Sequence, residues 1–322
     1  MKTPRFSPLL CAGIFAVGLS SCSEPDRSGD SSAADHSAKP EIALIMKSLA
    51  NEFFKTMADG AEAYEAENAD QFDLIVNGIK NETDLAQQVA LVEQMIARGV
   101  DAIVIAPADS KALISVLKRA QAEGITVINI DNKLDEKVLA EASVEIPFVG
   151  PDNREGARLV GEELAKTLKK GDKVAILEGV PTAFNARQRR AGFEDAMKAA
   201  GAEVVTVQSA QWEMERANTV TAAILTANPD LSAILASNDS MALGAAAAVS
   251  AAGRENEVQI VGFDNISAVQ SMIKDGRILA TADQHGDKLA VFGIDAALKI
   301  LSGEGRPTDQ KTPVDLVTLD AL

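Results

Sequence analysis

From Glu41 onward, short apolar runs alternate with longer stretches whose apolar residues recur at helical spacing. Ile42-Ala43-Leu44-Ile45-Met46 predicts a strand, and the spacing after it predicts a helix from about Phe53 to Glu67. Phe72–Val76 predicts a second strand, followed by a helix near Asp84–Arg98. Ala102–Ile105, a helix near Ser110–Glu123 and the strand Thr126–Ile130 continue the rhythm. A second set begins after Asp152-Asn153. Its strands are Val174–Leu177, Val204–Val207, Ala233–Ala236 and Ile260–Phe263, separated by helices near 155–169, 187–200, 215–227 and 240–252. Strands that read as continuous Val/Ile/Leu runs and alternate with helices indicate parallel sheets covered on both faces. The expected fold class is therefore α/β, with two doubly wound parallel-sheet domains. Asp239-Ser240 before Met241 reads as a helix cap.

The N-terminus departs from this rhythm. Lys2 and Arg5 precede an 11-residue apolar stretch, Leu9 to Leu19, too short to span a bilayer but suited to a secretory signal. Leu19-Ser20-Ser21-Cys22 resembles a bacterial lipobox, which predicts residues 1–21 as a lipoprotein signal peptide and Cys22 as the lipidated N-terminus of an exported chain. A plain signal peptide cut nearby is the simpler alternative. Residues 22–40 are rich in Ser, Asp and Ala and read as a flexible leash, with no role for His36.

Composition removes several classes of function. The 322 residues carry 31 Lys and Arg against 47 Asp and Glu, a net charge of -16, which repels a phosphate backbone and argues against nucleic acid. Two histidines and two cysteines leave no material for a zinc cluster or a Cys-His pair. No G-x-x-x-x-G-K-[ST] loop, G-x-S-x-G elbow or H-E-x-x-H helix occurs. Nothing in the composition calls for an enzyme, a cofactor or a metal, although 47 acidic residues always permit a carboxylate pair.

In open α/β sheets ligands bind beyond the carboxyl ends of the strands. Lys47, Asn51, Phe53 and Phe54 follow the first strand, and Asp131-Asn132 the fourth. Asn238-Asp239, Asp264-Asn265 and Gln284 follow strands of the second set. Such a mixture of carboxylates, amides, cations and aromatics suits a neutral polyhydroxylated ligand, whose hydroxyls both donate and accept and whose C–H faces lie on rings. Each residue also has a plainer reading. Phe53 and Phe54 could anchor a helix in the core, Asp131, Asn238 and Asp264 could shape turns, and Arg187, Arg189 and Arg190 could form a solvated face.

Taken in order, Lys47-Ser48-Leu49-Ala50-Asn51-Glu52-Phe53-Phe54, Ile130-Asp131-Asn132, Asn185-Ala186-Arg187-Gln188-Arg189, Ser237–Gly244 and Val261-Gly262-Phe263-Asp264 resemble the motifs of type I periplasmic sugar-binding proteins of ABC transporters, in the ribose/allose branch. The resemblance runs from about Glu41 to the C-terminus. It implies two lobes joined by a three-strand hinge, residues 41–150 with 285–315 and 151–284 with 316–322, that close on one sugar in the cleft between them. By position, Asn51, Asp131, Arg189, Asn238, Asp264 and Gln284 would hydrogen-bond the sugar, and Phe53, Phe54 and Trp212 would stack on it. Lys47 and Asn132 resemble the allose-type choice at their positions and favour an aldohexose, whereas Glu52 replaces the family's usual proline. The implied role is a monomeric receptor, lipid-anchored in the periplasm, that delivers a monosaccharide to an ABC permease. Presentation of the same sugar or a polyol to a membrane kinase or chemoreceptor is the alternative.

Overall fold

A computed structural model describes residues 39–305 and 308–322. The expected leader, Cys22 and nearly all of the leash lie outside the described residues. The chain begins β1 (Glu41–Ser48), α1 (Glu52–Glu67), β2 (Asp73–Ile79), α2 (Leu85–Arg98), β3 (Ala102–Ile105), α3 (Ile114–Ala122), β4 (Thr126–Ile130), α4 (Glu136–Ala142) and β5 (Phe148–Pro151). It continues α5 (Asn153–Ala165), β6 (Lys173–Glu178), α6 (Phe184–Ala200), β7 (Glu203–Ser209), α7 (Met214–Ala227), β8 (Leu231–Ala236), α8 (Asp239–Ala251), β9 (Gln259–Val261), α9 (Ser267–Lys274) and β10 (Thr281–Asp283). The remainder is α10 (Gly286–Leu301), β11 (Gln310–Thr312) and β12 (Asp315–Val317).

Two parallel sheets result, as the apolar runs require. The first has the order β11-β5-β4-β3-β1-β2 and the second β7-β6-β8-β9, while β10 and β12 pair antiparallel. Strand β1 shows why its run is continuous. Ile42, Leu44 and Met46 face a core shared with α1 and α10, and Ala43 and Ile45 face another shared with α2 and α3. In β6, Val174 and Ile176 pack with α5 and α6, and Ala175 and Leu177 on the opposite face. Helices cover both faces of each sheet, so neither face tolerates polar alternation.

The chain crosses between the sheets three times: after β5, between β10 and α10, and between β11 and β12. Helix α10 returns to the first sheet and packs along α1. A Cβ at Gly60 would stand 2.1 Å from the Asp287 carbonyl oxygen, so only glycine permits that approach. Tyr64 Oη donates to Asp295 Oδ1 at 2.6 Å in the same contact.

The sequence reading needs two amendments. Asp239 and Ser240 lie inside α8, and the cap is Asn238, whose Oδ1 accepts from the Met241 N–H at 2.9 Å. Asp239 instead turns inward, accepting from the Thr281 hydroxyl at 2.8 Å and the Ile266 N–H at 2.9 Å. Elements α4, β5, α9 and everything from α10 onward carried no assignment from the apolar pattern, because they are short or lie in alanine- and glycine-rich sequence.

Candidate functional site

The carboxyl ends of both sheets converge on a small cavity. The first sheet supplies Lys47 from β1, and Asn51, Phe53 and Phe54 from the start of α1. It also supplies Glu82 from the β2–α2 turn and Asp131 from the end of β4. The second supplies Asn185 and Arg189 from α6, Trp212 from the turn before α7, Asn238 from the cap of α8 and Asp264 after β9. Gln284 enters from the β10–α10 crossing.

Local structure aims these side chains. Asn51 caps α1 through Oδ1, which accepts from the Phe53 N–H at 3.1 Å. Phe53 and Phe54 then fall in the first turn, both 3% exposed, with ring centroids 5.1 Å apart in an edge-to-face pair. Asp131, Trp212 and Asp264 hold φ at +60°, +70° and +129°, conformations that side-chain-bearing residues rarely adopt and that concentrate where a site is held in a fixed geometry.

Each sheet contributes one buried cation–carboxylate pair. Lys47 Nζ lies 2.8 Å from Asp131 Oδ2, and Arg189 NH1 lies 3.3 Å from Asp264 Oδ1. Arg189 also donates through Nε to Asn153 Oδ1 at 2.7 Å and through NH1 to the Ser237 carbonyl at 2.9 Å, with its guanidinium 3.7 Å from the Phe263 ring centroid. Gln284 Nε2 donates to Asp264 Oδ1 at 2.7 Å. The Trp212 indole lies between the two pairs, 5.8 Å from Lys47 Nζ and 5.6 Å from the Arg189 guanidinium. Burial pushes the Asp264 carboxyl well above the usual carboxylate range, against the pull of Arg189 and with help from Asp239 and Asp131. Burial lowers the Arg189 pKa, against the pull of Asp264.

Several polar atoms at the cavity are left over. Trp212 Nε1 and Gln284 Oε1 are buried with no hydrogen-bond partner, one a donor and the other an acceptor. Asp131 Oδ2 has its ion-pair contact with Lys47 but no aligned hydrogen bond. Buried polar atoms are rarely left unpaired in folded chains, so a set converging on one cavity fits a ligand that both donates and accepts. No group of three or more His, Cys, Asp or Glu side chains among the described residues is arranged to hold a metal ion.

Lys47, Asn51, Phe53, Phe54, Asp131, Arg189, Trp212, Asn238, Asp264 and Gln284 are thus brought together around one space. Asn132 is not among its walls. That side chain donates to the Pro107 carbonyl at 2.9 Å and accepts from the Asn185 N–H at 3.2 Å, bracing the wall from behind. Two lining residues, Glu82 and Asn185, were not singled out from sequence. Glu82 stands just past the carboxyl end of β2, where the strand-end rule points if that short strand is followed to its last residue.

Hydrogen bonds also join the two sides around the cavity. Thr182 Oγ1 donates to Asp109 Oδ2 at 2.7 Å, the Phe184 N–H to Ser110 Oγ at 2.8 Å, and the Ser267 N–H to Glu52 Oε1 at 2.8 Å.

Residues 42–305 match the model of the periplasmic binding protein domain. The chain belongs to this family. A D-ribose/D-allose-binding protein of Pseudomonas aeruginosa is 60% identical over 290 residues, covering 88% of this chain and 91% of the relative. A solute-binding protein of an ABC transporter from Burkholderia multivorans superposes with a TM-score of 0.86 at 59% identity, over 87% of this chain and all of that one. An ABC transporter solute-binding protein from Actinobacillus succinogenes, solved with D-allose bound, superposes with a TM-score of 0.83 at 39% identity, over 88% of this chain and 99% of the other. Family members bind solutes; they are not catalysts.

Proposed function

We propose that this protein captures one monosaccharide, an aldose of the allose or ribose type, and delivers it to an ABC permease. The observation that carries the reading is the cavity itself. Two buried cation–carboxylate pairs, three aromatic side chains and unpaired donor and acceptor atoms surround one small space. Asp131 and Asp264 accept from pairs of hydroxyls, and Lys47 and Arg189 donate to hydroxyl and ring oxygens. Trp212 Nε1 supplies a further donor and Gln284 Oε1 a further acceptor. Phe53, Phe54 and Trp212 cover the C–H faces. The names of the Pseudomonas and Actinobacillus relatives support the same ligand class. Lys47 at the end of β1 favours the aldohexose within it.

Binding is the whole mechanism. Residues 41–150 with 285–315 form one lobe and 151–284 with 316–322 the other, hinged at the three crossings. The sugar bridges both lobes, and the hydrogen bonds of Glu52, Asp109 and Ser110 across the seam favour the closed arrangement that a permease reads. The protein acts as a monomer held at the cell envelope by a lipid on Cys22.

The test is a thermal-shift panel with D-allose, D-ribose, their epimers and polyols. A sugar present at 100 times its Kd stabilises by about 2.7 kcal/mol, which raises Tm by roughly 5–10 °C for a chain of this size. One aldose of the allose or ribose type shifting Tm while its epimers do not is the expected result. A flat panel overturns the reading.

A further inference from the structure

Glu82 is the cavity residue that the strand-end motifs do not include. Its side chain is 2% exposed, and its Oε1 accepts from Asn51 Nδ2 at 3.1 Å, the single hydrogen bond to this carboxyl among the described residues. A carboxylate has room for about four donors, so burial with one leaves most of its accepting capacity unused. Burial holds its pKa up at about 7. Lys47 and the Asn51 amide pull it down, while Asp131 and Glu213 push it up. Glu213, which precedes α7 on the second-sheet side, also takes the Glu82 backbone N–H on its Oε1 at 3.3 Å, so the Glu82 turn is held from across the seam.

The neighbours define what this corner can do. Asn51 spends its Oδ1 on capping α1 and one amide hydrogen on Glu82. Asp131 is engaged by Lys47. A hydroxyl entering here finds donors in Lys47 and in the remaining Asn51 amide hydrogen, and in Glu82 an acceptor besides Asp131.

We propose that Glu82 is a specificity-determining contact of this cavity, its carboxyl accepting a hydrogen bond from one ligand hydroxyl at the corner it shares with Lys47 and Asn51. The inference rests on the monosaccharide reading above and names a residue that reads one position of that sugar.

The experiment is a cycle between residue and hydroxyl, using the full-length protein. The affinities of wild type, Glu82→Ala and Glu82→Gln are measured by calorimetry for D-allose, D-ribose and their monodeoxy analogues, with melting curves confirming that each variant is folded. Removing one particular hydroxyl should cost wild type roughly tenfold to a hundredfold in affinity and cost Glu82→Ala almost nothing. Glu82→Gln, which keeps the shape but not the charge, should show a reduced cost at that same hydroxyl. Equal costs in wild type and variants at every position would overturn the proposal and leave Glu82 as a support for Asn51. Should Glu82→Ala fail to fold, the Gln cycle decides alone. If wild type binds neither parent sugar nor any other aldose, the monosaccharide reading fails and takes this inference with it. If wild type binds and the cycle is additive, only the role of Glu82 fails.

Discussion

Trp212 rests against Gly179: a Cβ on that glycine would stand 2.0 Å from the indole ring. The turn before α7 thus presses its aromatic side chain onto bare backbone at the end of β6. The indole is 4% exposed and forms one wall of the cavity.

Gly179→Ala should therefore act on the site through Trp212. The added methyl must displace the indole, and we expect sugar affinity to fall at least about tenfold while the fold remains cooperative. Trp212 is the only tryptophan in the chain, so its emission reports both effects. An unchanged spectrum with unchanged affinity would show that the ring does not lean on residue 179.

Lys47 and Asp131 should be inseparable in stability but separable in function. Asp131→Ala leaves a lysine 3% exposed without its ion-pair partner, at a cost of about 3–5 kcal/mol. Replacing both by apolar residues of similar volume should recover most of that stability without restoring sugar binding. Denaturant melts and calorimetry on the single and double variants measure the two quantities independently.

Asp239 should give the apo protein a distinctive pH response. Burial pushes its carboxyl up to about 7, against hydrogen bonds from Thr281 and the Ile266 N–H and the pull of Arg189. The folded chain therefore binds this proton more tightly than the unfolded chain, whose carboxyl titrates near 3.8. The contribution is complete below the unfolded value and is lost as pH rises through about 7. Asp239→Asn removes that titration, so the Tm deficit of the variant should be larger at pH 5 than at pH 8. A deficit that grows with pH contradicts the assignment.

The seam contacts should appear in kinetics. Glu52 accepts from both the Ser267 N–H and its hydroxyl, and Thr182 donates to Asp109 at 2.7 Å. Glu52→Ala and Thr182→Ala should each speed sugar release by roughly two- to tenfold and leave the association rate nearly unchanged, as read by stopped-flow fluorescence.

The apolar runs of β1, β3, β4, β6 and β8 made both sheets legible in the sequence, because short runs rich in Val and Ile that alternate with longer helical stretches mark strands buried on both faces. The strand-end rule and the motifs then pointed to residues that the fold does gather, such as Lys47 with Asp131 and Arg189 with Asp264. What escaped depended on partners distant in sequence. Asn132 stands at the end of the fourth strand and resembles the allose-type choice at its position, yet its amide braces the loop of Pro107 and the start of α6. Glu82 was not singled out, because the end of β2 was not followed and its hydrogen-bond partner Asn51 lies 31 positions away. Asp239 read as a cap because Asn238, one residue earlier, could not be distinguished from it by type alone.

The three crossings carry a consequence for how the chain acquires its shape. Strand β11 completes the edge of the first sheet beside β5, α10 covers β3 and β4, and β12 pairs with β10 beside the second sheet. The last segment of the polypeptide thus finishes the first sheet, which is not a sequential unit that can mature while the ribosome is still at work, whereas the second is built from the consecutive strands β6 to β9. Tyr64 waits for Asp295, 231 residues later, before its hydroxyl is paired. Contacts of such separation slow folding and keep the nascent chain open until synthesis ends. That delay suits a polypeptide that must thread a translocation pore before it folds, and a nonsense codon before α10 should leave the first sheet uncovered and without its edge strand.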